Sequence, residues 1–248
     1  MTEPHAVTPE TVERHGRPMR HFPVAVSAEA MALAWANQED GPHGAAVVVD
    51  HEIGPRGLHG RLWKVPQAQT LSLSVILRPE LGAEAGDATW LVAGLAGVEG
   101  LGAATGRDLA SWWPDAVIDV SEEDHTVANV RSEIQLGPGQ VRCAVVTFRV
   151  DLPGVEVDPD ATDGLVEGLV SATDRCAEQL VADRAALAER YSERCSLVDR
   201  RVKVTLLPKG ETRGTVAAVD DLAHLVLRSP SGIAERIGVA QLRAIATI

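Results

Sequence analysis

The first two thirds of the chain alternate between apolar runs with the period of a strand and segments with helical spacing. Residues 27–37 favour a helix, because Ser27 can cap its start and alanine, methionine and leucine follow. The β-branched run at 45–50 is typical of a buried strand. Residues 70–77 alternate apolar and polar positions, which predicts a strand with one buried face. Residues 89–105 are apolar and contain glycines, which predicts a helix packed closely against a sheet.

The pattern continues with paired strands, a long helix and a change of character near the end of the chain. Residues 116–120 predict another strand, and residues 127–136 and 142–150 flank the turn LGPGQ as in a β-hairpin. Apolar residues at helical spacing predict one helix from residue 162 to 195. From residue 197 onward, four or five short strands separated by tight turns predict a small SH3-like β-barrel.

Length and composition fit a globular protein of one or two domains. The chain has 248 residues, of which 45% are hydrophobic and 23% are charged, so it can bury a core of ordinary size. The polar stretch 1–21 has no apolar signal-peptide region and is predicted to be a flexible arm. We expect an α/β domain at 22–196 and the barrel at 197–248. No apolar run reaches the length of a membrane span, so no membrane partner is expected.

The net charge and the cysteines argue against several kinds of partner. A net charge of −12 argues against nucleic-acid binding, which depends on lysine and arginine side chains that neutralise phosphates. Three cysteines without metal-ligand spacing and eight scattered histidines predict no metal site. An odd number of cysteines in a chain without a signal peptide predicts reduced thiols and a cytoplasmic setting.

Three segments carry patterns that point to a ligand site. Residues 55–63 (PRGLHGRLW) combine glycines, which let a backbone approach an anionic ligand, with arginines, which hold phosphate or carboxylate groups. Trp112, Trp113, Pro114 and Asp115 form an aromatic motif directly before a predicted strand. The third segment is the strand-rich run that begins VKVTLLPKGETRG and continues to GVAQLR.

Taken in this order, the segments resemble biotin–protein ligases and, more distantly, lipoate–protein ligases, over residues 22–246. In that family the loop is Gly-Arg-Gly-Arg-x-Gly-Arg-x-Trp and the aromatic motif is Lys-Trp-Pro-Asn-Asp. The resemblance implies an α+β fold with a mixed β-sheet and flanking helices, as in class II aminoacyl-tRNA synthetases and biotin ligases, followed by a small SH3-like β-barrel. No winged-helix segment is visible, so the form without a DNA-binding domain is expected.

The resemblance also implies a two-step reaction. ATP activates biotin as biotinyl-adenylate, and a lysine of a carrier domain then attacks the acyl group; both steps need positive charge near developing negative charge. Here the family's lysine positions fall on Trp112 and Thr126, and the loop arginine that closes over the adenylate falls on Leu58. The sequence therefore assigns no certain catalytic residue and predicts lost or altered adenylation.

Other family positions carry bulkier or acidic residues. The first loop glycine is Pro55, and the Ser-Thr-Asn that begins the first helix is Ser27-Ala28-Glu29. The family's Gly-x-Gly-x-Asn strand becomes residues 147–151 (TFRVD). Side chains are therefore expected to fill places where a ligand or a backbone needs room.

The positions that match the family's ligand-binding segments remain candidates for a binding site. Arg131, on the predicted hairpin, is a candidate to replace a lost lysine, although a guanidinium is a poorer point charge. His59 adds positive charge at low pH. The two adjacent indoles could stack on a ligand or fill the cavity. The candidate ligand-binding residues are Arg56, Gly57, His59, Gly60, Arg61, Trp63, Trp112, Trp113, Asp115 and Arg131.

Three functions stay open on the sequence alone. The first is a non-adenylating relative that binds a biotin-like or acyl ligand, or a biotin- or lipoyl-carrier domain. The alternative is an active, divergent ligase or acyltransferase that modifies a carrier-domain lysine, and only the active ligase would use ATP and magnesium. The third is an interaction protein that uses a sheet edge to dock a carrier domain or to form a homodimer.

A cysteine-dependent transferase is a variant of the alternative. Cys143 is the cysteine within the predicted sheet and would be the nucleophile. Its position in an apolar strand favours a buried, inert thiol instead. Cys176 and Cys195 lie on the predicted long helix and are interpreted as packing residues.

Overall fold

A computed structural model of the protein describes residues 10–60, 69–121, 125–229 and 232–248, which form two β-sheets and four α-helices. The first sheet contains β1 (Thr11–Arg14), β2 (Arg17–Ala25), β3 (Ala46–Glu52), β4 (Thr70–Leu77), β5 (Leu109–Trp112), β6 (Ala116–Asp119), β7 (His125–Gly137) and β8 (Gln140–Asp151). The second contains β9 (Arg201–Leu206), β10 (Glu211–Val219), β11 (Leu225–Arg228), β12 (Ala234–Ile237) and β13 (Leu242–Thr247). The helices are α1 (Ala28–Gln38), α2 (Thr89–Thr105), α3 (Asp163–Ala182) and α4 (Arg184–Glu193).

The first sheet is mixed, with the strand order β1-β2-β3-β4-β8-β7-β6-β5. Strands β2 and β3 are parallel, and the other neighbouring pairs are antiparallel. Helix α1 packs on one face through a small apolar cluster that includes Trp35, Ile76 and Val145. Helices α2 and α3 cover the other face and build the main core with Leu73 and Phe148. This architecture confirms the predicted α+β fold with flanking helices.

Several predicted elements are confirmed with their physical causes. The hydroxyl of Ser27 accepts a hydrogen bond from the Ala30 N–H at 3.1 Å and caps α1. Strands β7 and β8 pair along their length as the predicted hairpin. Helix α2 lies close to its neighbours, because a Cβ at Gly97 would meet Val117 at 2.9 Å and one at Gly100 would meet a carbonyl oxygen of α3 at 2.8 Å.

Strand β4 differs from the prediction of a single buried face. All eight of its residues are buried, because α1 covers one side of the sheet and the α2–α3 layer covers the other. Its polar positions carry small side chains that find partners inside the protein. The hydroxyls of Ser74 and Thr147 lie 2.7 Å apart in this interior. The alternation of polar residues therefore marks a satisfied polar contact and not a solvated face.

The prediction of a flexible arm at 1–21 is wrong for residues that the structure describes as β1 and β2, which extend the first sheet at its edge. Paired arginines hide the strand signal in the sequence. Arg17 is buried, and it pairs with Asp174 of α3. The guanidinium of Arg20 stacks 4.1 Å from the ring centroid of Trp35 on α1. Polar residues of this segment are therefore tied to the helices on both faces of the sheet.

The single helix predicted from residue 162 to 195 is two helices, α3 and α4. The break lies at Asp183, whose backbone leaves the helical region with φ −155° and ψ 83°. The carboxylate of Asp183 accepts a hydrogen bond from the Ala186 N–H at 3.0 Å and caps α4. Leu180 and Leu187 are both buried, so the apolar spacing continues across the break and conceals it. In the described part of the chain, no helix is long and apolar enough to cross a membrane.

The C-terminal strands form a five-stranded antiparallel sheet in the order β12-β11-β10-β9-β13, which is compatible with the predicted SH3-like unit. Polar contacts attach this sheet to the first domain. The indole N–H of Trp113 donates to the Ala223 carbonyl at 2.9 Å. The Ser192 hydroxyl accepts from the Val219 N–H at 2.9 Å and donates to the carbonyl of the same residue at 3.1 Å. The two units are therefore joined by directional contacts as well as by packing.

Candidate functional site

Several segments that resemble the ligase family's ligand-binding segments meet on the sheet face that carries α1. They are the start of α1, the end of β3 with the loop that follows it, and the central parts of β7 and β8. The backbone N–H of Ala28, directly after the capping serine, donates to Oε1 of Glu52 at 2.8 Å. This bond ties the first turn of α1 to the last residue of β3, at the entrance of the loop.

A buried ion pair completes this corner of the site. The Nη1 of Arg149, on β8, donates to Oε2 of Glu52 at 2.7 Å, and the two side chains are 1% and 4% exposed. Burial lowers the pKa of the Arg149 guanidinium, and the Glu52 carboxylate opposes that shift. The resemblance implies a glycine at position 149. A long side chain therefore fills space beside the sheet that a glycine would leave open.

Arg131 forms a second centre of charge, on β7. Its Nε lies 3.0 Å from Oε2 of Glu29, and its Nη2 donates to Oε2 of Glu133 at 2.7 Å. Its Nη1 donates to the loop carbonyls of Arg56 and Gly57 at 3.2 and 3.1 Å. All three guanidinium nitrogens are thus engaged. Arg131 holds the loop in position, which differs from the expectation that it replaces a lost lysine as a free cation.

The carboxylates of this cluster lie in an unusual electrostatic environment. Burial raises the pKa of Glu29 to about 6, against the lowering effect of Arg131 and with smaller raising effects from Glu133 and Glu52. Among the described residues, Glu29 and Glu133 both pair with Arg131, and Glu52 pairs with Arg149. Two carboxyl groups therefore share the guanidinium of Arg131.

The loop after β3 is also tied down at its far end. The exposed Arg56 donates from Nη1 to the Gly60 carbonyl at 3.2 Å. His59 has a left-handed backbone, with φ 57°, and its Nε2 contacts the Leu242 carbonyl of the second sheet. The loop therefore bridges the two sheets. The predicted site residue Arg61 lies outside the described residues, and so does Trp63.

The residues of the aromatic motif contribute mainly to packing. Trp113 is 1% exposed within the main core, and its indole is bonded to Ala223, which agrees with the option that an indole fills the cavity. Trp112 is half-buried against the same core. The carbonyl of Asp115 accepts from the Val130 N–H at 2.9 Å and joins the turn to β7.

The two positions at which the resemblance implies a lysine lie on strands of the first sheet. Thr126 is exposed on β7, where it pairs across the sheet with Ile118 of β6. Trp112 occupies the other lysine position, at the end of β5. In the ranges that the structure describes, no three His, Cys, Asp or Glu residues are arranged to hold a metal ion.

An open depression of about 290 Å³ lies beside the loop, between β7, the start of α2 and the second sheet. Leu58, Trp90 and Ile134 supply apolar surface, and Arg131 and Glu133 supply charge. Apolar walls with a few polar groups are typical of small-ligand sites. The depression therefore leaves space beside the cluster, whereas side chains fill the sheet face itself.

The sequence pattern did not single out Glu52 or Glu133, which prove to be the partners of the two site arginines. A signal for the buried pair is present in the sequence. Glu52 ends an otherwise apolar strand, and Arg149 interrupts the apolar run VVTFRV. Since charged residues are almost never fully buried unless paired, each predicts a partner of opposite sign.

The three cysteines are free and buried. Burial raises the pKa of Cys143 above its ordinary value and raises that of Cys176 to about 12. Burial also raises the pKa of Cys195. The thiolate is the nucleophilic form, so these environments disfavour cysteine catalysis. The interpretation of Cys143 as a buried thiol is confirmed.

Comparison with solved structures defines the class of fold. The biotin protein ligase of Aquifex aeolicus, in complex with biotin and ATP, matches with a TM-score of 0.72 at 17% sequence identity, covering 93% of this chain and 99% of that one. This likeness shows the fold alone, over the part of the chain that it covers. No protein-family model matches the sequence.

Comparison with curated proteins defines the family. The biotin–[acetyl-CoA-carboxylase] ligase of Paracoccus denitrificans is 30% identical over 232 residues, covering 84% of this chain and 92% of that protein. The chain therefore belongs to the biotin–protein ligase family. The bifunctional ligase/repressor BirA of Bacillus spizizenii is 25% identical over 159 residues, which is 64% of this chain and 48% of BirA. The chain spans about half the length of the Bacillus relatives it matches.

Proposed function

We propose that this member of the biotin–protein ligase family binds a biotin-like or acyl ligand, or the carrier domain that bears one, and does not form an acyl-adenylate. The observation that carries the proposal is the full engagement of Arg131. Its three guanidinium nitrogens contact Glu29, Glu133 and two loop carbonyls. It is therefore not available as a cation for a phosphate or a carboxylate.

The residues at the family's charge positions support the same proposal. Trp112, Thr126 and Leu58 cannot supply a cation to an acyl-phosphate. Removing one preorganised transition-state contact costs about 3 kcal/mol, or on the order of a hundred-fold in rate. Three such losses in one site would leave adenylation below detection.

The charge of the cluster supports a neutral ligand. In the part of the chain that the structure describes, the carboxylates of Glu29 and Glu133 share the single guanidinium of Arg131. A carboxylate or an adenylate would add negative charge beside them, at a cost that grows in a partly buried site. A biotin ring system or an acyl group already joined through an amide carries no such charge.

The depression beside the loop supports the binding half of the proposal. Its apolar residues Leu58, Trp90 and Ile134 suit an acyl chain or the side chains of a docked domain. Arg56 is exposed at the same loop. An acyl group can therefore be held without the chemistry that would activate it.

The test pairs turnover with binding. The protein is mixed with ATP, magnesium and biotin, lipoate or octanoate, and pyrophosphate release is measured, with the Paracoccus denitrificans ligase as the positive control. We expect no release above the no-acid background. Calorimetry with biotin, biotinamide and a biotin-carrier domain should detect binding to at least one of them. Turnover contradicts the claim that the protein forms no acyl-adenylate, and binding of none of the three ligands contradicts the claim that it binds one.

A matched pair of variants tests the role of Arg131. Arg131→Gln releases the loop and leaves Glu29 and Glu133 without their shared partner, so ligand binding should weaken by roughly ten-fold or more. Arg142→Gln makes the same change of charge at an exposed position on β8 and should leave binding unchanged. Equal binding by both variants would contradict the assigned role.

A further inference from the structure

The C-terminal sheet has the opposite charge to the rest of the chain. Residues 201–248 contain seven basic and four acidic residues, although the whole chain has a net charge of −12. The remainder of the protein is therefore strongly acidic. Basic residues concentrated on a small sheet mark a surface that attracts anions.

Three residues stand in one row across this sheet. Thr215 of β10 pairs directly with Arg201 of β9 on one side and with Arg228 of β11 on the other. Directly paired residues point to the same face, and neighbouring strands are about 5 Å apart, so the two guanidinium groups flank one hydroxyl. All three residues are exposed.

A second pair of basic residues lies next to the row and is already neutralised. Arg213 precedes Thr215 by two residues on the same strand and pairs across the sheet with Lys203. Glu211 accepts from both, at 2.7 Å from the Lys203 Nζ and 3.0 Å from the Arg213 Nε. These contacts lower the pKa of Glu211. Its charge is therefore committed to Lys203 and Arg213.

The two flanking arginines have no such counter-charge. Among the residues that the structure describes, no carboxylate forms a salt bridge with Arg201 or with Arg228. Within the described ranges, the salt bridges on this face join Glu211 to Lys203 and Arg213 and leave Arg201 and Arg228 outside them. Arg201 and Arg228 lie on the two strands that flank β10, so an anion placed over Thr215 would meet a guanidinium from each side.

The backbone shapes a shallow receptacle at this place. A depression of about 270 Å³ is lined by Arg201, Arg213, Thr215 and Arg228. Gly214 lies at its base, where a Cβ would meet the Arg228 carbonyl oxygen at 2.9 Å. Glycine therefore allows β11 to approach β10 closely enough to hold Arg228 beside Thr215.

We propose that the row Arg201–Thr215–Arg228 binds the phosphate group of a small phosphorylated ligand. Two guanidinium groups can each form two parallel hydrogen bonds to a phosphate, and a threonine hydroxyl can donate a further one. The site lies on the second sheet, apart from the loop and the cluster of the proposed ligand site. It needs neither an acyl ligand nor adenylation.

The test uses inorganic phosphate and the full chain. Calorimetry should show saturable binding of one phosphate, and phosphate should raise the thermal midpoint of unfolding. In the double variant Arg201→Gln/Arg228→Gln the dissociation constant should increase by at least roughly ten-fold. In phosphate-free buffer the double variant should be about as stable as the parent, since both replaced side chains are exposed. The matched control is Arg142→Gln, which should bind phosphate as the parent does.

Two results would overturn the proposal. One is phosphate binding that is absent, or equally strong in the parent and the double variant. The other is binding of a single-stranded oligonucleotide with a steep dependence on salt while inorganic phosphate does not bind, because this would assign the surface to a nucleic-acid backbone. Circular dichroism of the double variant, with a normal thermal midpoint, establishes that a loss of binding is not a loss of folding.

Discussion

Arg149 and Glu52 form an ion pair in which Nη1 and Oε2 lie 2.7 Å apart while the side chains are 1% and 4% exposed. Through the same carboxylate, the pair reaches the Ala28 N–H at the start of α1. It thereby links β8, the end of β3 and a helix terminus in one buried contact. Position 149, where the family resemblance implies a glycine, therefore carries a charged side chain that links these elements.

This pair predicts a large and asymmetric effect on stability. Arg149→Met should lower the free energy of unfolding by about 3–5 kcal/mol, because it removes the Arg149 charge that faces the buried Glu52 carboxylate. The double variant Arg149→Met/Glu52→Gln should recover most of the loss, since no charge then remains and the amide oxygen can still accept from Ala28. Urea unfolding of the four proteins in the cycle measures both values. A double variant as unstable as Arg149→Met would show that packing, and not charge, is lost.

Glu29 predicts a dependence of stability on pH. Its pKa of about 6 in the folded protein lies above the ordinary value of 4.5, so the folded state binds the proton more tightly than the unfolded state. This contribution to stability is complete below pH 4.5 and is lost as the pH rises through about 6, by up to about 2 kcal/mol. Glu29→Gln is neutral throughout, so its stability relative to the parent should improve over that window.

The matched control for this prediction is Glu178→Gln, at an exposed position of α3. Chemical unfolding of each protein from pH 4.5 to 7.5 gives the difference in free energy at each pH. The Glu29→Gln difference should slope upward and the Glu178→Gln difference should stay flat. Parallel curves for the two variants would mean that Glu29 ionises normally in the folded protein.

The hydrogen bond from Trp113 to Ala223 is expected to stabilise the attachment of the second sheet. Trp113→Phe removes the indole donor to the buried Ala223 carbonyl, which should cost about 1–3 kcal/mol, and it also removes part of the buried ring volume. Amide exchange in β10 and β11 should accelerate more than exchange in β7. Trp112→Phe, at the half-buried neighbour, should change both measurements less. Similar effects of the two variants would show that the hydrogen bond does not account for the changes.

The buried cysteines predict slow thiol chemistry. Cys143, Cys176 and Cys195 should react with a thiol reagent in the unfolded protein and remain largely unreactive in the native state, because each is buried with a raised pKa. Absorbance with an aromatic disulfide reagent, with and without denaturant, counts the accessible thiols. Rapid labelling of Cys143 in the native protein would contradict this expectation and would support the hypothesis of a cysteine-dependent transferase.

Local patterns were sufficient for most of the fold. The capped start of α1, the range of α2 and the β7–β8 hairpin follow from residues that are near one another in the sequence. The break at Asp183 could not be predicted in this way, because the apolar spacing continues through both helices and a single aspartate marks the break. Strands β1 and β2 were hidden by arginines whose partners lie on distant helices.

The expected replacements of family residues at the site follow from the sequence, but the contacts between the site's side chains do not. That Trp112 and Thr126 stand where the resemblance implies lysines is an expectation from the sequence alone. The pairing of Glu52 with Arg149 depends on the register across β3, β4 and β8, over a separation of 97 residues, and no local pattern fixes that register. The engagement of Arg131 likewise depends on where the loop carbonyls lie.

The measurement that tests the central claim most directly is the exchange of labelled pyrophosphate into ATP in the presence of biotin, because it detects an adenylate even when nothing is transferred to a carrier. With the arginine of β7 engaged and no cation at the two family lysine positions, exchange should not exceed that without biotin. Biotin-dependent exchange at a rate similar to that of the Paracoccus denitrificans ligase would contradict the account.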